Sequence, residues 1–198
     1  MIGIAGRAGA GKDTVAQMII YLKNCDRDGK PYSLKDFYFF IDAKKHYKSY
    51  YQIYKFAEKL KGRVALTWDI NRANLEDNKF KNMSSPLGIS WRELLQKEGT
   101  IMRSLDKDYW IKALFCNIQS HKAIISDVRF LNEIEAIKKE NIQNKVVRVY
   151  RNVPEMDHIS ETEHLLYKDY DYVIDNIGTF SDLLDSVYNM LLALDELM

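Results

Sequence analysis

Residues 3–17 read GIAGRAGAGKDTVAQ, in which Gly6 and the pair Gly11–Lys12 stand at the spacing of a phosphate-binding loop. Such a loop needs glycines so that the backbone curls and aims several N–H groups at one anion. It also needs a lysine to reach the outer phosphates. The residue after the lysine is ordinarily a Ser or Thr that binds Mg²⁺. Here it is Asp13, and Thr14 comes one place late. A carboxylate at that position can hold Mg²⁺ directly or through a water, because Mg²⁺ keeps several of its waters, and Thr14 can still reach an inner phosphate. The plainer reading of Asp13 is a first-turn acid favoured by the helix dipole. A second acid, Asp127, ends the apolar run AIISDV, and Arg129 follows two residues later. An acid at the end of a buried strand is the usual second metal partner of a phosphate loop; its plainer reading is a structural ion pair with Arg129.

These residues need elements to hold them. MIGIA (1–5) reads as a buried strand, followed by a helix from Lys12 to about Asn24. Residues 32–50 give no clear pattern, YQIYKF (51–56) alternates as a strand, and a helix should cover 57–68. Residues 71–88 are polar and loop-like. Ser90 with Glu93 makes a capping box for a helix carrying WRELLQKEGTIMR, and a further helix is expected over 108–119. Strands are expected at 123–128, 145–150 and 170–176, with a helix at 132–140 between the first two. The last helix is amphipathic, with Phe180, Leu183, Leu184, Val187, Met190, Leu191 and Leu194 on one face. Strands alternating with helices about five times predict an α/β protein with a parallel sheet covered on both faces. Ligands of such sheets sit at the carboxyl ends of the strands, where the loop, Asp127 and Asn176 all fall.

Composition excludes little beyond this. The 198 residues suit one domain, with 46% hydrophobic and 29% charged residues and a net charge of +1. Nothing in that balance calls for nucleic acid or a membrane, and no run approaches a membrane span. The Lys- and Tyr-rich stretch at 44–63 reads as a solvated surface, with a polyanion contact as the alternative. Cys25 and Cys116 fit no metal spacing, so a reducing cytoplasm is the expected location, and the glycine loop at the N-terminus argues against a signal peptide.

The blocks GRAGAGKDT, FAEKLK, WRELLQKEGTIMR, DYWIKAL, SDVRFLNE, DHISETEH and DYVIDNIGT occur in that order. Together they resemble the deoxynucleoside monophosphate kinases of bacteriophages and related viruses, in which Asp commonly follows the loop lysine. The resemblance implies the P-loop nucleoside-monophosphate-kinase-like three-layer fold: a five-stranded parallel sheet, an acceptor-binding helical region at about 57–121 and a small lid at about 151–165, all in one domain. It implies ATP and Mg²⁺, with small-molecule substrates and no stable nucleic-acid partner. On it, Gly6, Arg7, Ala8, Gly9, Ala10, Gly11, Lys12, Asp13 and Thr14 would bind the triphosphate, and Asn176 and Gly178 would lie near the adenine. Lys12, Asp127, Arg129 and Arg151 would serve the transfer, with Asp13 and Asp127 toward the metal. Lys61, Arg92, Gln96, Thr100, Arg103, Trp110 and Glu161 would meet the acceptor nucleotide. Arg92 and Arg103 also fit an exposed charged stripe, Lys61 a surface lysine, and Trp110 a core ring. His158 is not needed as a base, since a phosphate acceptor is already anionic.

Residues 26–50 form a longer connection than the resemblance leads one to expect, which fits an added hairpin, an oligomer contact or a piece of the acceptor pocket. A homodimer is one use of that segment and of the last helix. Phosphomevalonate kinases share a GKD loop and an S-D-x-R strand and are the nearest rival, with dephospho-CoA kinases more distant. LLQKEGTIMR fits the phage enzymes better. A GTPase is disfavoured, because NKVV at 144 lacks the Asp of an N-K-x-D motif. A regulator that binds ATP without transferring phosphate is the reading from a different class.

Overall fold

The computed structural model describes residues 1–43, 50–118, 122–153, 159 and 162–197. In chain order the elements are β1 (Ile2–Ala5), α1 (Lys12–Arg27), α2 (Leu34–Asp42), β2 (Gln52–Tyr54), α3 (Phe56–Thr67), a 3-10 turn (Arg72–Glu76) and α4 (Asn78–Lys81). They continue with α5 (Trp91–Leu105), α6 (Tyr109–Phe115), β3 (Ala123–Val128), α7 (Leu131–Glu140), β4 (Lys145–Tyr150), a second 3-10 turn (Glu163–Leu166), β5 (Tyr172–Asp175) and α8 (Phe180–Ala193). The chain divides into two compact units, one from residues 1–54 and 120–198 and the other from 55–119.

The first unit is a five-stranded sheet in the order β2-β3-β1-β4-β5 with every pairing parallel. β1 and β3 lie inside it, and all their residues are buried, which is why β1 reads as an apolar run and β3 as one that closes on Ser126 and Asp127. Side chains alternate across the sheet. Ile2 and Ile4 join the core formed with α1 and α8. Gly3 points the other way, where an added Cβ would lie 2.8 Å from Ile137 of α7. Helices therefore cover both faces, as the alternation of elements predicts. Because all five strands run the same way, their carboxyl ends share one edge. The glycine loop, Arg129, Arg151 and Asn176 each follow one of those ends.

The segment after α1 departs from the hairpin expectation. α1 continues to Arg27, and Ser33 then caps α2 by accepting the Asp36 amide at 3.1 Å. α2 buries Phe37 against Tyr21 of α1 and also packs on α8. Residues 44–49 of that connection lie outside the described residues.

The second unit packs α3 against α5 and α6. Its core is Val64, Ala65, Leu75, Trp91, Leu94 and Leu95. Phe80 stacks on Trp91 at 5.6 Å between ring centroids, and Trp68 meets the same ring edge-on. The stretch 71–88, expected as loop, contains the first 3-10 turn and α4. Asn71 accepts the Ala73 amide and Asp77 the Lys79 amide, each at 2.9 Å. The polar residues that read as loop are thus caps of very short helices. The helix expected over 108–119 closes earlier, at Phe115.

Candidate phosphate-binding site

β1 ends at Ala5 and the chain turns at once into the glycine loop. Gly6, Gly9 and Gly11 all take positive φ, at 151°, 78° and 99°. Two of them are also closed in by neighbours. A Cβ on Gly6 would lie 2.5 Å from the Val149 carbonyl oxygen, and one on Gly11 would lie 2.4 Å from Asn176 Nδ2. Only glycine satisfies both the backbone angle and the space. Lys12, the first residue of α1, folds back over this curl. Its buried ammonium donates to the carbonyls of Gly6 at 2.6 Å and Arg7 at 2.7 Å. The loop's charge is thereby fixed at the mouth of a helix N-terminus, a position favourable to anions. Thr14 is half-buried in the first turn of α1, and Gly9 is exposed.

On one side of the loop stands the end of β3. Ser126 Oγ donates to Asp13 Oδ1 at 2.8 Å, so the odd acid of the loop is tied to the strand that carries Asp127. Asp127 itself is buried. The backbone then turns under the control of Glu133, a buried carboxylate whose Oε2 accepts the amides of Arg129 at 2.8 Å and Phe130 at 3.1 Å. That pair of bonds sets where the chain, and with it Arg129, leaves the sheet edge. Two acids at strand and helix ends beside a glycine loop can receive Mg²⁺ bound to phosphate.

On the other side lies a cavity of about 300 Å³ lined by Arg7, Ala10, Arg148, Arg151, Val153 and His164, among others. Asn176, just past β5, donates its side-chain amide to the Ala10 carbonyl at 2.8 Å and clamps the loop from this side. His164 sits in the second 3-10 turn with no exposed surface, and neither ring nitrogen has a hydrogen-bond partner. Burial first, then the charges of Lys12, Arg148, Arg129 and Arg7, push its pKa down to about 4. The imidazole is therefore neutral at physiological pH. Its turn is pinned by Glu163, which accepts the Leu131 amide at 3.0 Å, and by Tyr170, whose hydroxyl donates to the His164 carbonyl at 2.5 Å.

The expected acceptor residues fall in the second unit, mostly on α5. Ser90 caps this helix by accepting the Glu93 amide at 3.1 Å. Trp91, Leu94, Leu95 and Met102 are buried on one face, while Arg92, Gln96, Thr100 and Arg103 recur on another. The Arg92 guanidinium donates to the side-chain oxygens of Asn82 at 3.2 Å and Asn78 at 3.4 Å. Both are neutral partners, so its charge is held in place without being cancelled. Thr100 turns its hydroxyl back to the Gln96 carbonyl at 2.9 Å. Lys61 is ion-paired with Glu76 at 2.5 Å. Trp110 is buried, with its indole N–H donated to the Gly99 carbonyl at 3.2 Å, so in this unit it couples α6 to α5.

Gly178 and Arg151 are exposed at the strand-end edge. Glu161 and His158 lie outside the described residues, as does much of the stretch expected as a lid. Sequence reasoning missed Ser126, Glu133, Arg148 and His164. Glu133 had a signal, an acid three residues after Phe130 at a helix start. Ser126 and His164 had none, because their partners are distant in sequence. Among the described residues no cluster of three or more His, Cys, Asp or Glu side chains could hold a metal unaided. No described helix is long and apolar enough to cross a membrane.

No curated protein matches the chain significantly. A family model described as deoxynucleotide monophosphate kinase matches residues 37–187, well over half of the sequence. The match begins after the glycine loop, so the loop geometry and the family assignment are separate lines of support. The matched span takes in β2 to β5, the whole second unit, Asp127, Arg129 and Asn176. A parallel sheet with a glycine loop at its carboxyl edge, joined to that match, places the chain in a kinase family: it belongs to the deoxynucleotide monophosphate kinases.

Proposed function

We propose that the protein transfers the γ-phosphoryl group of ATP to the 5′-phosphate of a deoxynucleoside monophosphate, giving ADP and a deoxynucleoside diphosphate. The observation that carries this reading is the loop itself: three glycines at positive φ with Lys12 folded across them, in a chain of this family. An oxygen of the acceptor phosphate attacks the γ-phosphorus, the bond from that phosphorus to the β–γ bridging oxygen breaks, and ADP leaves with the bonding pair. The acceptor is anionic at neutral pH, so no general base is required. The obstacle is bringing two polyanions together, and positioning plus charge stabilisation overcomes it.

In this reading the loop amides and Lys12 hold the triphosphate. Asp13 and Asp127 are the residues that would hold Mg²⁺, which when bound spreads the charge of the outer phosphates. Arg129 and Arg151 take the transferring group, and Asn176 and Gly178 lie toward the adenine. The face of α5 with Arg92, Gln96, Thr100 and Arg103 takes the monophosphate, with Lys61, Trp110 and Glu161 contributing. Residues 151–165 close over the reactants and exclude water. Both substrates are small molecules.

The test is ADP release in the presence of ATP and Mg²⁺ with a panel of acceptors. The panel holds the four common deoxynucleoside monophosphates, their ribose counterparts, phosphomevalonate and dephospho-CoA. Turnover with a deoxynucleotide is expected and reveals the preferred base. Activity only on phosphomevalonate or dephospho-CoA moves the chain to those chemistries, and ATP binding without turnover on any acceptor defeats the reading.

A further inference from the structure

His164 is a buried group that the proposed transfer does not use. It has no exposed surface, and both ring nitrogens lack a partner. It also lines a cavity shared with Arg7, Arg148 and Arg151, which the glycine loop borders at Ala10. A neutral imidazole needs one donor and one acceptor partner, and a site that leaves both unsatisfied costs free energy. Burial first, and then its charged neighbours, keep the ring from protonating. Four cations act on it: Lys12 from α1, Arg148 from β4, Arg129 from the turn after β3 and Arg7 from the loop. On its own segment, the carboxylate of Glu163 is engaged with the Leu131 amide and Tyr170 donates to the His164 backbone. The imidazole gains a partner when an anion arrives among these cations.

We infer that the arginine-lined cavity and His164 form one polyphosphate-receiving site, in which the imidazole takes a proton from water and gains an anionic hydrogen-bond partner as the ligand enters. Binding of the nucleotide polyphosphate is therefore linked to proton uptake at His164. This rests on the reading of the glycine loop as a triphosphate site. The physical cause is electrostatic: the ligand cancels the field of the four cations and supplies an acceptor for the charged ring. Both changes favour the protonated form, against a burial penalty that stays in place. His164 is a positioning residue here. It registers that the cavity is filled and adds one charge to hold the ligand.

The chain has four histidines, and the triple variant His46→Gln, His121→Gln, His158→Gln leaves His164 alone. Its ring proton resonances are followed by NMR from pH 4 to 8, without ligand, with inorganic tripolyphosphate, and with ATP. The ligand-free ring should titrate near the depressed value of about 4. Saturating tripolyphosphate or ATP should raise that midpoint by about two units, toward the ordinary histidine value. Calorimetry of wild-type protein at pH 6, in buffers of different ionisation enthalpy, should show proton uptake on binding beyond the ligand's own, and His164→Gln should remove it. Binding with the midpoint unmoved overturns the inference. So does a ring that titrates normally before ligand is added, or a failure of both ligands to bind. Wild-type ADP release separates the two readings: turnover with an unmoved His164 defeats only the proton linkage, whereas no binding and no turnover defeats both.

Discussion

Ser126 Oγ donates to Asp13 Oδ1 at 2.8 Å, joining the buried strand β3 to the first turn of α1 across 113 residues. The bond fixes the residue that stands where a phosphate loop ordinarily carries a hydroxyl. Asp13→Asn keeps an oxygen to accept from Ser126 and removes only the charge. If Asp13 serves the metal, the Mg²⁺ concentration for half-maximal turnover should rise on the order of tenfold, with the melting temperature little changed. Ser126→Ala should instead cost about 1 kcal/mol of stability and move the Mg²⁺ curve less. An unmoved Mg²⁺ curve in Asp13→Asn would leave the acid a purely structural role.

Lys12 donates its ammonium to two loop carbonyls, those of Gly6 and Arg7. The same group is placed to meet a phosphate, so one residue shapes the loop and charges it. Lys12→Ala should lower kcat by about 10²–10³ or more, the loss typical of removing one group that stabilises transition-state charge. Lys12→Arg should fail nearly as badly, because a planar fork cannot follow the same path to two carbonyls. Far-ultraviolet circular dichroism should stay that of the wild type. Full activity in Lys12→Ala would mean the site has been misassigned.

Much of the sheet was legible because β1 and β3 are buried on both faces, so that apolar residues follow one another in MIGIA and in AII before Ser126 and Asp127. The edges of β3 and β4 agree with the sequence reading to the residue, since Lys122 and Arg129 bound the one and Asn144 and Arg151 the other. α2 was not legible. Its aromatic residues leave Tyr38 and Phe39 exposed, so no single apolar face marks the helix. The loop side of the site could be read from glycine spacing, because a local backbone turn imposes it. Its far side could not. Asn176 reaches Ala10 across 166 residues, and His164 meets its cations only once the sheet has formed. The helix α5 carried its own cap in the sequence, yet the partners of Arg92, Asn78 and Asn82, belong to a stretch that read as loop.

His164 also predicts how stability depends on pH. Its folded pKa is depressed to about 4 from an ordinary 6.5, so above pH 6.5 the ring is neutral in both folded and unfolded chains and contributes no pH dependence. As pH falls below 6.5 the unfolded chain takes a proton that the folded one refuses, and stability is lost progressively until pH 4. Urea unfolding at pH 7.5 and pH 5 should show a loss of about 2 kcal/mol from this group. The same pair of measurements on His164→Gln should lack that component. An equal pH dependence in the variant would show that other groups are responsible.

Arg92 is held by two neutral amide oxygens, so its charge is positioned without being cancelled. A phosphate on that face of α5 would find a preorganised guanidinium. Arg92→Lys keeps the charge and loses the fork, and should raise KM for the monophosphate by roughly tenfold while kcat changes less. Asn82→Ala, which frees the guanidinium to move, should raise the same KM by a smaller factor. Initial rates at varied acceptor concentration separate the two parameters. A KM unchanged in both variants would make Arg92 part of an exposed stripe.

Gly11 leaves room for Asn176, since an added Cβ on Gly11 would collide with Asn176 Nδ2, and that amide is fixed by its bond to Ala10. Gly11→Ala therefore meets two costs, the backbone at φ 99° and the collision. Strained φ alone costs on the order of 1–3 kcal/mol. Asn176→Ala alone should cost about 1 kcal/mol for the lost hydrogen bond. In the double variant the collision is gone, while the backbone strain and the lost hydrogen bond remain, so the two losses should sum to more than the double variant shows. Urea midpoints of the four proteins close the cycle. Strict additivity would mean that the loop moves away from Asn176 at little cost, and that the clamp on the glycine loop is weak.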